Sequence, residues 1–154
     1  MAQFEIKDGV AIIPEGTTEI GYQAFYKCTL LESITIPDGV TKIGWDAFFS
    51  CTSLKSIIIP DSVTKIGMNA FSHCTSLECI PIPESVTVLG RGAFMGCKKL
   101  KKIVIKDVED DIYFLTEILY DFQYEVEVEL YYKDGRVAYL TFPEYGCKIL
   151  LNKF

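Results

Sequence analysis

Apolar and polar residues alternate along this chain in a pattern that returns every 23 residues. One unit reads Leu54-Lys-Ser-Ile57-Ile-Ile59-Pro60-Asp-Ser-Val63-Thr-Lys-Ile66-Gly67-Met-Asn-Ala70-Phe71-Ser-His-Cys74-Thr-Ser76. Ile57 and Ile59 alternate with Ser56 and Ile58, as in a short strand with one buried face. Pro60 ends that strand, because it has no N–H to give a ladder. Val63 and Ile66 turn inward again, and Gly67 is read as a tight turn. Ala70, Phe71 and Cys74 have helix-like spacing, which predicts a short helical turn on the opposite side.

The same positions recur without insertion. Proline stands at Pro14, Pro37, Pro60 and Pro83, and glycine at Gly21, Gly44, Gly67 and Gly90. Phenylalanine stands at Phe25, Phe48, Phe71 and Phe94, and cysteine at Cys28, Cys51, Cys74 and Cys97. A unit this short cannot bury its inward residues alone, so it must stack on its neighbours.

These spacings and residue types, from about residue 11 to 105, resemble the BspA-like, or Treponema-type, leucine-rich repeats. The resemblance implies a leucine-rich-repeat solenoid: a short right-handed α/β or β-rich arc of stacked coils, used for binding. Some members of that family are surface proteins that adhere to host proteins.

Both ends of a solenoid need closing. At the front, Asp8-Gly9 between alternating apolar residues predicts a hairpin cap. After Ile105 the repeat dissolves. Asp110-Asp111 precede Ile112, Leu115, Ile118, Leu119 and Phe122, which reads as an amphipathic helix with acids at its start. Tyr124 to Leu130 alternates as a half-buried strand. Lys133-Asp134-Gly135-Arg136 is the turn, Val137 to Phe142 returns, and Cys147 to Leu151 reads as a last strand. The division is residues 1–106, a solenoid with its hairpin, and 107–154, a helix-plus-hairpin cap.

Charge sharpens that division. Residues 1–106 carry ten acids and eleven bases, and 107–154 carry eleven acids and four bases, giving +1 and −7 of the total −6. An acidic chain lacks the basic face that nucleic acid requires. No apolar run approaches the roughly 20 residues that span a bilayer. Met1 to Glu5 has neither a basic region nor an apolar stretch, so no secretory leader is expected there.

Candidate chemistry is sparse. The repeat cysteines form one inward column and are expected to be reduced and buried rather than paired. They lack the Cys-x₂₋₄-Cys spacing of a zinc site. Cys79 takes the position of Ser33 and Ser56 and is expected to be exposed. His73 is the only histidine, which leaves little for a Ser-His or Cys-His mechanism. The glycines precede no Gly-Lys-Ser/Thr, so they are not a phosphate loop. No catalytic site, cofactor or metal is expected.

Function is therefore sought at variable outward positions, with a protein as the expected partner. The strand face carries Ser33, Ser56, Cys79 and Lys102 in one column and Thr35, Ile58, Pro81 and Val104 in the next. The opposite surface carries Tyr22, Trp45, Met68 and Arg91, and then Tyr26, Phe49, Ser72 and Met95. Tyr22, Trp45, Phe49, Ile58, Cys79, Pro81 and Lys102 are the candidate contacts. Aromatic anchors are common at interfaces, but these rings could equally lie against the next coil. The alternatives to a scaffold are self-association, end to end or by exchange, and a fragment of a surface adhesin.

Overall fold

The computed structural model describes residues 4–108, 126–142 and 148–152. It is a β-solenoid. Asp8 and Gly9 both have positive φ, the conformation a two-residue type I′ turn demands. They join β1 (Glu5–Lys7) to β2 (Val10–Ile12) as an antiparallel hairpin. From there each coil contributes two strands. The longer ones form a first sheet: β4 (Ser33–Thr35) pairs parallel with β2 and with β6 (Ser56–Ile58). The sheet is interrupted before β8 (Cys79–Ile82), where Pro81 brings no N–H, and resumes through β10 (Lys102–Val108).

A second sheet runs alongside. Its strands are β3 (Glu19–Ile20), β5 (Lys42–Ile43), β7 (Lys65–Ile66) and β9 (Val88–Leu89), all parallel. Each coil points one residue of this row inward: Ile20, Ile43, Ile66 and Leu89.

The helical turn expected at Ala70-Phe71-Cys74 does not form. The segment is a run of overlapping β-turns. Ala47, Phe49 and Cys51 donate back to Gly44, Asp46 and Phe48, three residues earlier. The intervening N–H groups of Asp46, Phe48 and Ser50 leave the coil and reach Met68, Ala70 and Ser72 of the next, at 2.9, 2.7 and 2.8 Å. Gln23, Asp46, Asn69 and Gly92 are left-handed, and so are Lys27, Ser50, His73 and Gly96. A left-handed residue at every fourth position breaks the α-helical ladder. It also aims alternate N–H groups at the neighbouring coil.

Close stacking explains the repeat glycine. A Cβ on Gly67 would lie 2.7 Å from the Gly44 carbonyl carbon and 2.6 Å from Cδ1 of Trp45. The glycine is there for coil-to-coil approach, and not for a positive φ.

The core is a set of columns. Phe25, Phe48, Phe71 and Phe94 stack with ring centroids 5.1, 5.1 and 5.9 Å apart, and Phe4 covers Phe25 at 5.5 Å. Such stacks add about 0.5–1.5 kcal/mol per pair to the area burial. Beside them, Cys51, Cys74 and Cys97 are buried and donate S–H to the carbonyls of Phe25, Phe48 and Phe71 at 3.0, 3.1 and 3.0 Å. Cys28 is half-buried, since no coil precedes it.

At the rear, β11 (Val126–Tyr132) adds parallel to β10, and β12 (Val137–Phe142) and β13 (Lys148–Asn152) follow antiparallel. Val126, Val128 and Leu130 are buried. The strands read from the alternation are present. The helix expected over 110–122 lies outside the described residues, as does Cys147.

Candidate binding surfaces

Outward residues of the first sheet fall into register from coil to coil. Val10 stands beside Ser33, Ser33 beside Ser56, and Thr35 beside Ile58. Cys79 stands beside Lys102, and Pro81 beside Val104. Ile58 is 72% exposed and Ile12 54%. Cys79 and Pro81 are exposed too, and Cys79 is a free thiol. None of the outward residues on β2, β4, β6 or β8 is charged. The strip is bordered at the strand entrance by the Lys55–Glu32 ion pair, 2.7 Å. The nearby ammonium holds the Glu32 carboxyl below its usual range.

Lys102, a candidate contact on the strand face, is engaged by the fold itself. Its Nζ lies 2.7 Å from Glu129 of β11, a carboxylate that is largely buried. Tyr131 donates its hydroxyl to the same carboxylate at 3.2 Å. These bonds raise the Lys102 ammonium and the Tyr131 phenol above their ordinary values. Lys102 therefore ties the last repeat strand to the segment behind it.

On the opposite side the aromatic candidates separate. Tyr22 is 65% exposed and Trp45 60%. Together with Gly44 and the Glu19–Lys42 ion pair (2.8 Å) they line a shallow cleft of about 280 Å³. Phe49 instead packs into the surface, stacked on Tyr26 at 5.2 Å and met edge-on by His73 at 5.4 Å. It is half-buried. Ser72, expected outward in that column, is wholly buried and bonds the Met95 carbonyl at 3.1 Å.

A family model, the BspA type leucine rich repeat region in 6 copies, matches residues 9–117. The chain belongs to the BspA-type leucine-rich repeat family. A solved relative is a leucine rich cell surface protein from Faecalibacterium prausnitzii. It is 32% identical with a TM-score of 0.63, and the match covers 82% of this chain and 32% of that one. The pneumococcal vaccine antigen PcpA is 29% identical with a TM-score of 0.63, over 65% of this chain and 25% of that one. A Treponema pallidum leucine rich repeat protein is 28% identical with a TM-score of 0.50, over 68% of this chain and 64% of that one. The chain thus spans a third or less of the first two relatives. A comparison with curated proteins finds no match.

Within this BspA-type solenoid, sequence reasoning missed Ile12, Glu19 and Lys42. Ile12 was legible in principle, because it stands one 23-residue period before Thr35. Glu19 and Lys42 carry opposite charges one period apart, and that was the available signal. Among the described residues no group of three or more His, Cys, Asp or Glu could hold a metal ion. Among them, too, no helix is long and apolar enough to cross a membrane.

Proposed function

We propose that this BspA-type chain is a non-catalytic scaffold that docks a protein on the outward face of its first sheet. The observation that carries this is the uncharged strip running from Ile12 through Thr35, Ile58 and Pro81, with Ile58 at its centre and 72% exposed. Exposed apolar area rimmed by polar residues is characteristic of protein contacts. The inward positions are committed to the stack, so binding energy has to come from this kind of surface.

Two further readings rest on specific features. The similarity to a cell surface protein of Faecalibacterium prausnitzii supports an adhesive role for the larger protein of which such a unit would be part. An uncharged strip would also suit a second copy of the chain. One experiment separates these. Parent, Ile58→Asp and Trp45→Ala proteins are used to capture binders from a native lysate, and their solution mass is measured across concentrations. A protein retained by the parent and Trp45→Ala but lost with Ile58→Asp supports docking on the sheet. Equal capture by all three overturns it. A parent mass that rises with concentration, abolished by Ile58→Asp, identifies self-association instead.

A further inference from the structure

The cleft at Tyr22 and Trp45 lies on another surface and has another chemistry. We infer that it is a binding site for a neutral saccharide, one sugar ring at a time, held against the Trp45 and Tyr22 rings and bonded by Lys42 and Glu19.

Four features converge on that ligand. The first is aromatic: Tyr22 and Trp45 occupy equivalent positions in adjacent coils and remain well exposed, although such rings usually bury most of their area. The C–H face of a pyranose is apolar and flat, and it packs on such a ring without a charge. The second is electrostatic. Glu19 and Lys42, at 2.8 Å, neutralise each other at the rim. A cationic ligand would meet the Lys42 ammonium, and an anionic one the Glu19 carboxylate. A wholly apolar ligand would strip water from the pair and return no hydrogen bond. A sugar hydroxyl both donates and accepts, so it can bond each member while the pair stays intact.

The third feature is the close approach of two coils at Gly44, which lines the cleft together with the two rings. The space a Cβ would take there is already filled by the Gly21 and Tyr22 backbone, at 2.7 to 2.9 Å, so the glycine lets the two coils, and the rings they carry, come close together. One coil further on, the Trp45 ring itself lies against Gly67. The repeat thus leaves this site open between Tyr22 and Trp45, and the tryptophan covers the next glycine. The fourth is size. At about 280 Å³ the cleft falls just below the usual range of drug-sized ligand sites. It suits one ring better than a protein surface, which needs a much larger contact.

Trp45 is the only tryptophan in the chain, so intrinsic tryptophan emission reads the site directly. The full chain is titrated with the methyl glycosides of glucose, galactose, mannose and N-acetylglucosamine. Sodium acetate and methylammonium chloride serve as ionic probes. A ligand of one sugar ring should saturate the emission change with a Kd on the order of 1–10 mM, given the usual yield per ligand atom. Tyr22→Ala and Lys42→Met should each weaken it by roughly threefold or more, with melting curves like the parent's. Saturation by at least one glycoside and by neither ionic probe supports the site. Three results overturn it: only linear changes with every glycoside, saturation by acetate or methylammonium, or a Tyr22→Ala affinity equal to the parent's. No protein partner enters this titration, so its outcome is independent of docking on the first sheet.

Discussion

The thiol of Cys74 donates to the carbonyl oxygen of Phe48, in the coil before it, at 3.1 Å. The same carbonyl already accepts the Cys51 N–H that closes its own turn. A cysteine column is thus a way to satisfy one coil's carbonyl from the next without burying a stronger polar group. Its neighbour Cys51 and its burial push the Cys74 thiol far above its ordinary value. The folded chain therefore keeps this proton where the unfolded chain gives it up. Stability from this group is full below the unfolded thiol value, about 8.5, and is lost as pH rises beyond it. Unfolding free energy should fall by up to about 1.4 kcal/mol per pH unit from this thiol above that pH. Cys74→Ala should flatten the slope between the two pH regimes. Denaturant midpoints across that range measure it, and a slope unchanged by Cys74→Ala would count against the assignment.

Thiol accessibility should divide along the same line. Cys79 should react with an alkylating reagent within the first phase of labelling under native conditions. Cys51, Cys74 and Cys97 should wait for unfolding. Mass spectrometry of timed samples locates each adduct. Equal labelling rates at Cys79 and Cys74 would contradict the burial of the column.

Phe71 sits between Phe48 and Phe94 with no exposed surface. Phe71→Ala should cost about 3–5 kcal/mol, because it removes a core ring and leaves a void that two coils cannot both close. Chemical denaturation gives the number. A midpoint within error of the parent would remove Phe71 from the core.

Gly67 tests the reason for the repeat glycine. Gly67→Ala puts a methyl group against the Gly44 backbone and the Trp45 ring, and should cost roughly 1–3 kcal/mol or more, as overpacking does. Gly16→Ala meets nothing within 4 Å but has positive φ, so its cost should be only the left-handed penalty of about 1 kcal/mol. Thermal melts of the two variants decide this. If Gly16→Ala proves the worse, conformational freedom and not coil spacing governs the glycines.

We propose that residues 107–154 close the rear of the solenoid. The pairing of β11 with β10 and the Lys102–Glu129 bond support this. Without the segment, the edge of β10 and the apolar end of the stack meet water. A 1–106 fragment should be aggregated or insoluble, as judged by light scattering after expression. A soluble, monomeric fragment with parent-like stability would refute the assignment.

The 23-residue recurrence of proline, glycine, phenylalanine and cysteine determined by itself that the chain is a solenoid and which residues face inward. Periodicity suffices for that, because every coil has the same environment and the same residue must suit each. The hairpin at Asp8-Gly9 was equally legible, since its turn type restricts the residues allowed. Only the tertiary structure decided the form of the Ala-Phe-Cys segment. Its spacing fits a helix as well as it fits a chain of turns, and what separates them is that alternate N–H groups bond to the next coil, a partner 22 residues away. The candidate surfaces divided in the same way. Exposure of Ile58, Cys79 and Pro81 followed from their places in the repeat, whereas for Tyr22 and Trp45 the repeat left solvent and the next coil equally open. The burial of Phe49 against Tyr26 and His73, and the capture of Lys102 by Glu129, did not follow from the repeat either. Those depend on which side chain the adjacent coil or strand happens to present, and no repeat position encodes its neighbour.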